Sequence, residues 1–110
     1  MPIPPEEVIP QEILSPDGKL QIINHHNYTD RFGMYCVEGA LRNIDPKANL
    51  DAEIKVDYFD RDKAQIDTEI DPSISNLKPG VTRSFHIMYS GRRRGEVQYY
   101  RLYPTTIKSY

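Results

Sequence analysis

The chain has 110 residues, enough for one domain. By size scaling it buries about two-thirds of its unfolded surface, so a core forms without disulfides or metal. A hydrophobic fraction of 38% with 27% charged residues fits a water-soluble chain, excludes a transmembrane one and argues against a disordered one. The net charge of -2 gives no bulk attraction to nucleic acid or anionic membrane.

Nine prolines and eight tyrosines without tryptophan point to a turn-rich all-β chain. The first eighteen residues, with four prolines among the first ten and two adjacent acids, read as a linker or tail ahead of a domain over 19–110. The start lacks the basic and apolar regions of a signal peptide. Extracytoplasmic placement is expected if the chain is a fragment of a larger protein, and cytoplasmic placement if Met1 is the native start. The turn Ser15-Pro16-Asp17-Gly18 closes the linker.

Beyond that turn, runs of alternating hydrophobicity are separated by turns every 10 to 14 residues. The first run covers 19–28, with Leu20 and Ile22 on one face. In 32–43, Tyr35, Val37, Gly39 and Leu41 oppose Cys36, Glu38, Ala40 and Arg42. The clearest pattern is Leu50, Ala52, Ile54, Val56 and Tyr58 pointing inward, with Asp51, Glu53, Lys55 and Asp57 outward. After a turn at Asp60-Arg61-Asp62-Lys63, Ala64, Ile66, Thr68 and Ile70 are expected to continue the inner set, leaving Asp67, Glu69 and Asp71 solvated. Pro79-Gly80 suits a type II turn. A strand over 81–90 carries Phe85, Ile87 and Tyr89 inward. It is expected to form a hairpin, through the Gly91–Gly95 tip, with a strand over 96–103; a short seventh strand follows Pro104. These elements predict an immunoglobulin-like antiparallel β-sandwich of six or seven strands with an extended N-terminal tail.

The stretches Val37-Glu38-Gly39-Ala40-Leu41-Arg42-Asn43, Val56-Asp57-Tyr58-Phe59-Asp60 and Asn76-Leu77-Lys78-Pro79-Gly80 occur in an order that resembles the FxLYD-type domains. These are small immunoglobulin-like sandwiches of bacterial and archaeal proteins. The similarity covers residues 19 to 103. In the eponymous motif Val56, Tyr58 and Phe59 replace Phe, Leu and Tyr, while Asp60 matches. The resemblance implies the sandwich fold, an accessory role in envelope proteins, and no catalytic residues.

No nucleophile elbow, zinc-protease helix or phosphate-binding loop is present, so no enzyme is expected. No cofactor or metal site is expected either. His25 and His26 are strand neighbours pointing to opposite faces, and Asp60-Arg61-Asp62 lacks the rest of a calcium loop. The lone Cys36 reads as a small buried hydrophobe.

Charge is polarised along the chain: residues 51–71 hold eight acids and three bases, residues 83–108 six bases and one acid. Tyr100 and Leu102 suit the core, which leaves Tyr99, Arg101 and Tyr103 as an aromatic-basic stripe beside Arg92, Arg93 and Arg94; a register shifted by one would instead put Tyr99 and Tyr103 in the core and remove the stripe. These six residues are the expected partner-binding site, because tyrosine and arginine dominate binding surfaces. The expected role is that of a monomeric, non-catalytic interaction or spacer domain binding a protein or cell-surface polymer. The alternative is a nucleic-acid-binding protein using the same arginines with Tyr99 and Tyr103, which the net charge disfavours.

Overall fold

Alternation in 50–58 has the expected consequence: Leu50, Ala52, Ile54, Val56 and Tyr58 are all completely buried. They belong to a computed structural model that describes residues 10–110, the side chains of Ser73 and Arg94 excepted. Residues 1–9, half of the expected linker, lie outside the described residues.

Seven strands are described: β1 (Ile13–Leu14), β2 (Leu20–Thr29), β3 (Tyr35–Asn43), β4 (Leu50–Phe59), β5 (Gln65–Leu77), β6 (Thr82–Met88) and β7 (Tyr99–Ser109). They form two antiparallel sheets, one ordered β1-β2-β3-β6 and the other β5-β4-β7. The core lies between them, with Leu20, Ile22, Val37, Leu41, Phe85 and Ile87 from one sheet meeting Ile54, Val56, Ile74, Leu77, Tyr100 and Leu102 from the other. This is the immunoglobulin-like sandwich expected from the pattern. No helix among the described residues is long and apolar enough to cross a membrane.

Two of the three quoted stretches, 37–43 and 76–80, meet in space. Asn43, wholly buried, donates from Nδ2 to the carbonyl oxygens of Ala48 and Leu77, both at 2.8 Å. Its Oδ1 accepts the Asp45 N–H at 2.8 Å, and its own carbonyl accepts the Gly80 N–H at 2.8 Å. Asn43, through its side chain and backbone, thus ties together the β3–β4 and β5–β6 crossings between the sheets. Gly80 has φ +75°, and the Val81 N–H closes the turn on the Lys78 carbonyl, as Pro79-Gly80 leads one to expect. Gly39 is needed for a different reason: a Cβ there would press on the Asn24 carbonyl of β2 and lie 2.9 Å from Phe85 Cζ.

A bulge in β2 between Ile22 and Asn24 shifts the side-chain parity by one. His25 therefore turns inward while His26 faces out. The buried His25 ring bonds the Tyr100 hydroxyl through Nδ1 at 2.6 Å and donates from Nε2 to the Pro10 carbonyl at 2.9 Å. Pro10 and β1, inside the segment read as linker, are in this way attached to the sandwich.

Three expectations are corrected. Pro104 does not end a strand: β7 runs through it, with the Pro104 side chain buried opposite Ile54. The Gly91–Gly95 tip is not a hairpin, because β6 and β7 belong to different sheets; it is a crossing that contains one turn of 3-10 helix, Arg94–Glu96. The third concerns β5, whose register pairs Tyr58 with Asp67 and Val56 with Glu69. Residues paired across antiparallel strands share a face, so Asp67 and Glu69 point toward the core and Thr68 and Ile70 point out, Ile70 being 56% exposed.

Candidate functional site

The register of β7 on β4 decides where the aromatic-basic stripe goes. Tyr100 pairs with Tyr58 and Leu102 with Val56, which puts both in the core. The alternate residues then line the outer face: Tyr99 opposite Phe59, Arg101 opposite Asp57 and Tyr103 opposite Lys55. Lys55 Nζ sits 5.0 Å from the centre of the Tyr103 ring, a cation-π contact. Asp57, read as a solvated carboxylate, is buried beside Arg101 and accepts the Thr68 hydroxyl at 2.8 Å. Arg101 itself is half-buried, and its Nε has no hydrogen-bond partner among the described residues.

The arginine tip divides. Arg93 grips Glu96 with two hydrogen bonds, Nε–Oε2 at 2.9 Å and a second guanidinium nitrogen to Oε1 at 2.8 Å. Those bonds hold the Glu96 carboxyl below its usual range. Arg92 is exposed and has no ion pair among the described residues, and the Arg94 side chain lies outside them. The stripe runs away from the tip along β7, so Tyr99, Arg101 and Tyr103 share one face while Arg92 and Arg93 belong to the sandwich end.

Beneath the tip the Tyr89 ring, completely buried, packs on Tyr58 with centroids 4.5 Å apart and donates its hydroxyl to Asp67 Oδ2 at 2.9 Å. Tyr58 donates likewise to Glu69 Oε1 at 2.8 Å, and Glu69 Oε2 accepts both the N–H and the hydroxyl of Ser90. Burial, reinforced by these carboxylates, pushes both phenols up in pKa. Gly91 is required here, because any Cβ would collide with the Tyr89 hydroxyl and the Asp67 carboxylate.

A second grouping escaped the sequence reading because it exists only across strands. His26, Glu38 and His86 lie side by side on β2, β3 and β6. His26 Nε2 is 2.8 Å from Glu38 Oε1, and His86 Nε2 is 2.8 Å from the Tyr28 hydroxyl. Cys36 is buried on the same face, and that burial pushes its thiol up in pKa. Among the described residues no three metal-ligating side chains converge, here or elsewhere. Comparison with known protein families, characterised proteins and solved structures gives no match for the chain.

Proposed function

We propose that this chain is a non-catalytic interaction module of a larger, envelope-attached protein, and that it binds through the outer face of the β5-β4-β7 sheet. The observation that carries the reading is the alternation of β7. Tyr100 and Leu102 anchor the strand in the core, while Tyr99, Arg101 and Tyr103 stand on the opposite face with Lys55. That face combines flat aromatic area with cations on a rigid strand, so a ligand loses little side-chain entropy to it. Arg101 presents a half-buried guanidinium on this face, suited to a carboxylate or other planar anion. The exposed Arg92 adds charge at the end of the sandwich. The resemblance to FxLYD-type domains supports the accessory, envelope-attached role.

Retention on immobilised polyglutamate tests the reading, with Arg101→Ser and Tyr103→Ser as the variants. Loss of retention in both, with unchanged unfolding midpoints, is the expected result. Unchanged retention refutes the site. Tighter binding to oligodeoxythymidylate with a steep salt dependence replaces the reading with the nucleic-acid alternative.

A further inference from the structure

The two open sides of the sandwich are closed differently. On one side β1 and β2 approach β7, and His25 bonds Tyr100 across the gap. On the other, the edge strands β5 and β6 face each other without pairing. Arg83 reaches the Ser75 carbonyl at 2.9 Å at one end of this gap. At the other end Ser90 and Tyr89 bond Glu69 and Asp67. Between these ties lies a depression of about 560 Å³ lined by Glu69, Ile70, Asp71, His86, Ile87 and Met88.

The direction of the free backbone groups on β6 follows from its two end bonds. The Tyr89 N–H donates to the Tyr35 carbonyl, and the Val81 carbonyl accepts the Asn43 N–H. With the regular β3–β6 register, odd-numbered residues of β6 therefore bond β3. Ser84, His86 and Met88 then present their N–H and C=O groups outward along the edge. β5 resists pairing, because it carries Pro72, three register shifts and core-facing carboxylates. No proline, lysine or bulge interrupts β6.

Charge selects the occupant. A strand added to β6 would send alternate side chains into the gap, toward Asp67 and Glu69. The described partners of these two carboxylates are hydroxyls and backbone amides, and neither forms an ion pair among the described residues. Their negative charge is solvated only by dipoles, so an incoming cation gains and an incoming anion is repelled. We infer that the free edge of β6 accepts an extended polypeptide segment carrying Lys or Arg at alternate positions, added as a further strand with its basic side chains facing the Asp67–Glu69 row. The main chain would supply affinity and the carboxylates specificity. This surface is separate from the outer face of β7, so either proposal survives failure of the other.

The test uses the whole chain and two synthetic peptides, one alternating lysine with threonine and one alternating glutamate with threonine. Amide hydrogen exchange followed by NMR is expected to show protection of Ser84, His86 and Met88 by the lysine peptide alone, weakening as salt is raised. Ser84→Pro deletes one outward N–H and leaves the bonds to β3 intact; it should weaken binding about tenfold, the equivalent of one good hydrogen bond. Equal binding of both peptides, or protection confined to β7, overturns the inference. Protection of the same amides that grows with protein concentration in the absence of peptide also overturns it, because the occupant would then be a second copy of the chain.

Discussion

Stability should fall steeply above pH 10, and Tyr100 allows the loss to be apportioned. Its ring is only 7% exposed, and burial pushes its phenol from 10.0 up to about 12. The folded state therefore holds the phenol proton more tightly than the unfolded chain does. Such a group stabilises fully below pH 10, and its contribution is lost as pH rises through about 12. Two pKa units correspond to about 2.7 kcal/mol in all, of which about 1.4 kcal/mol is gone at pH 11. Tyr58, pushed up further by burial and by its bond to Glu69, steepens the same limb. The informative variant is Tyr100→Phe. At pH 8 it forfeits the hydrogen bond to His25 and should be about 1 kcal/mol less stable than the native chain. By pH 11 the native chain has lost about 1.4 kcal/mol through Tyr100, more than its advantage of about 1 kcal/mol at pH 8, and the variant has nothing to lose there, so the two stabilities should meet or cross. Urea unfolding at half-unit pH steps, with tyrosinate absorbance as a second probe, measures both curves. A stability difference that stays constant from pH 8 to pH 11 would refute the assignment of the shift to Tyr100.

Two further substitutions probe the framework. Asn43→Ala strands two buried carbonyls and the Asp45 N–H, and urea unfolding should show a loss of about 2–4 kcal/mol; Asn43→Asp should not rescue it, since a carboxylate cannot donate to those carbonyls. Gly39→Ala puts a methyl against the β2 backbone and Phe85, where nothing flexible can give way on the backbone side, so a loss near the upper end of about 1–3 kcal/mol is expected from the unfolding midpoint.

The sequence announced those parts of the fold in which side-chain alternation and burial agree. β4 is the plainest case, with five apolar residues at alternate positions and every one buried. The face of β7 was open in the sequence, since tyrosines stand at both parities, and it is the pairing of Tyr100 with Tyr58 and Leu102 with Val56 that puts Tyr99, Arg101 and Tyr103 outside. What alternation cannot convey is which strands become neighbours. The Gly91–Gly95 segment has the glycines of a hairpin, yet it crosses between sheets, and its tightness is set by the neighbouring Tyr89 together with Asp67, which is distant in sequence from both. The His26-Glu38-His86 row is invisible for the same reason, because it is assembled by two strand pairings and by a bulge that reverses the parity of β2.

The misreading of β5 exposes a limit of the rule itself. Ile66, Thr68 and Ile70 alternate with Asp67 and Glu69, and hydrophobicity alone assigns the isoleucines inward; Ile66, at a register shift, does pack against the core, while Ile70 does not. That rule assumes a strand covered by the opposite sheet. At an edge the inner face is covered only in part, and the two tyrosines beneath it, Tyr58 and Tyr89, end in hydroxyls that need acceptors. Carboxylates on the inner face meet that need and keep contact with water, while Ile70 lies over the broad outer face beside Lys55. The strand thus satisfies buried phenols and guards its own edge with inward charge at once. The same arrangement leaves negative charge lining the gap opposite β6, and it is this by-product of core chemistry that makes the open side selective for a basic strand.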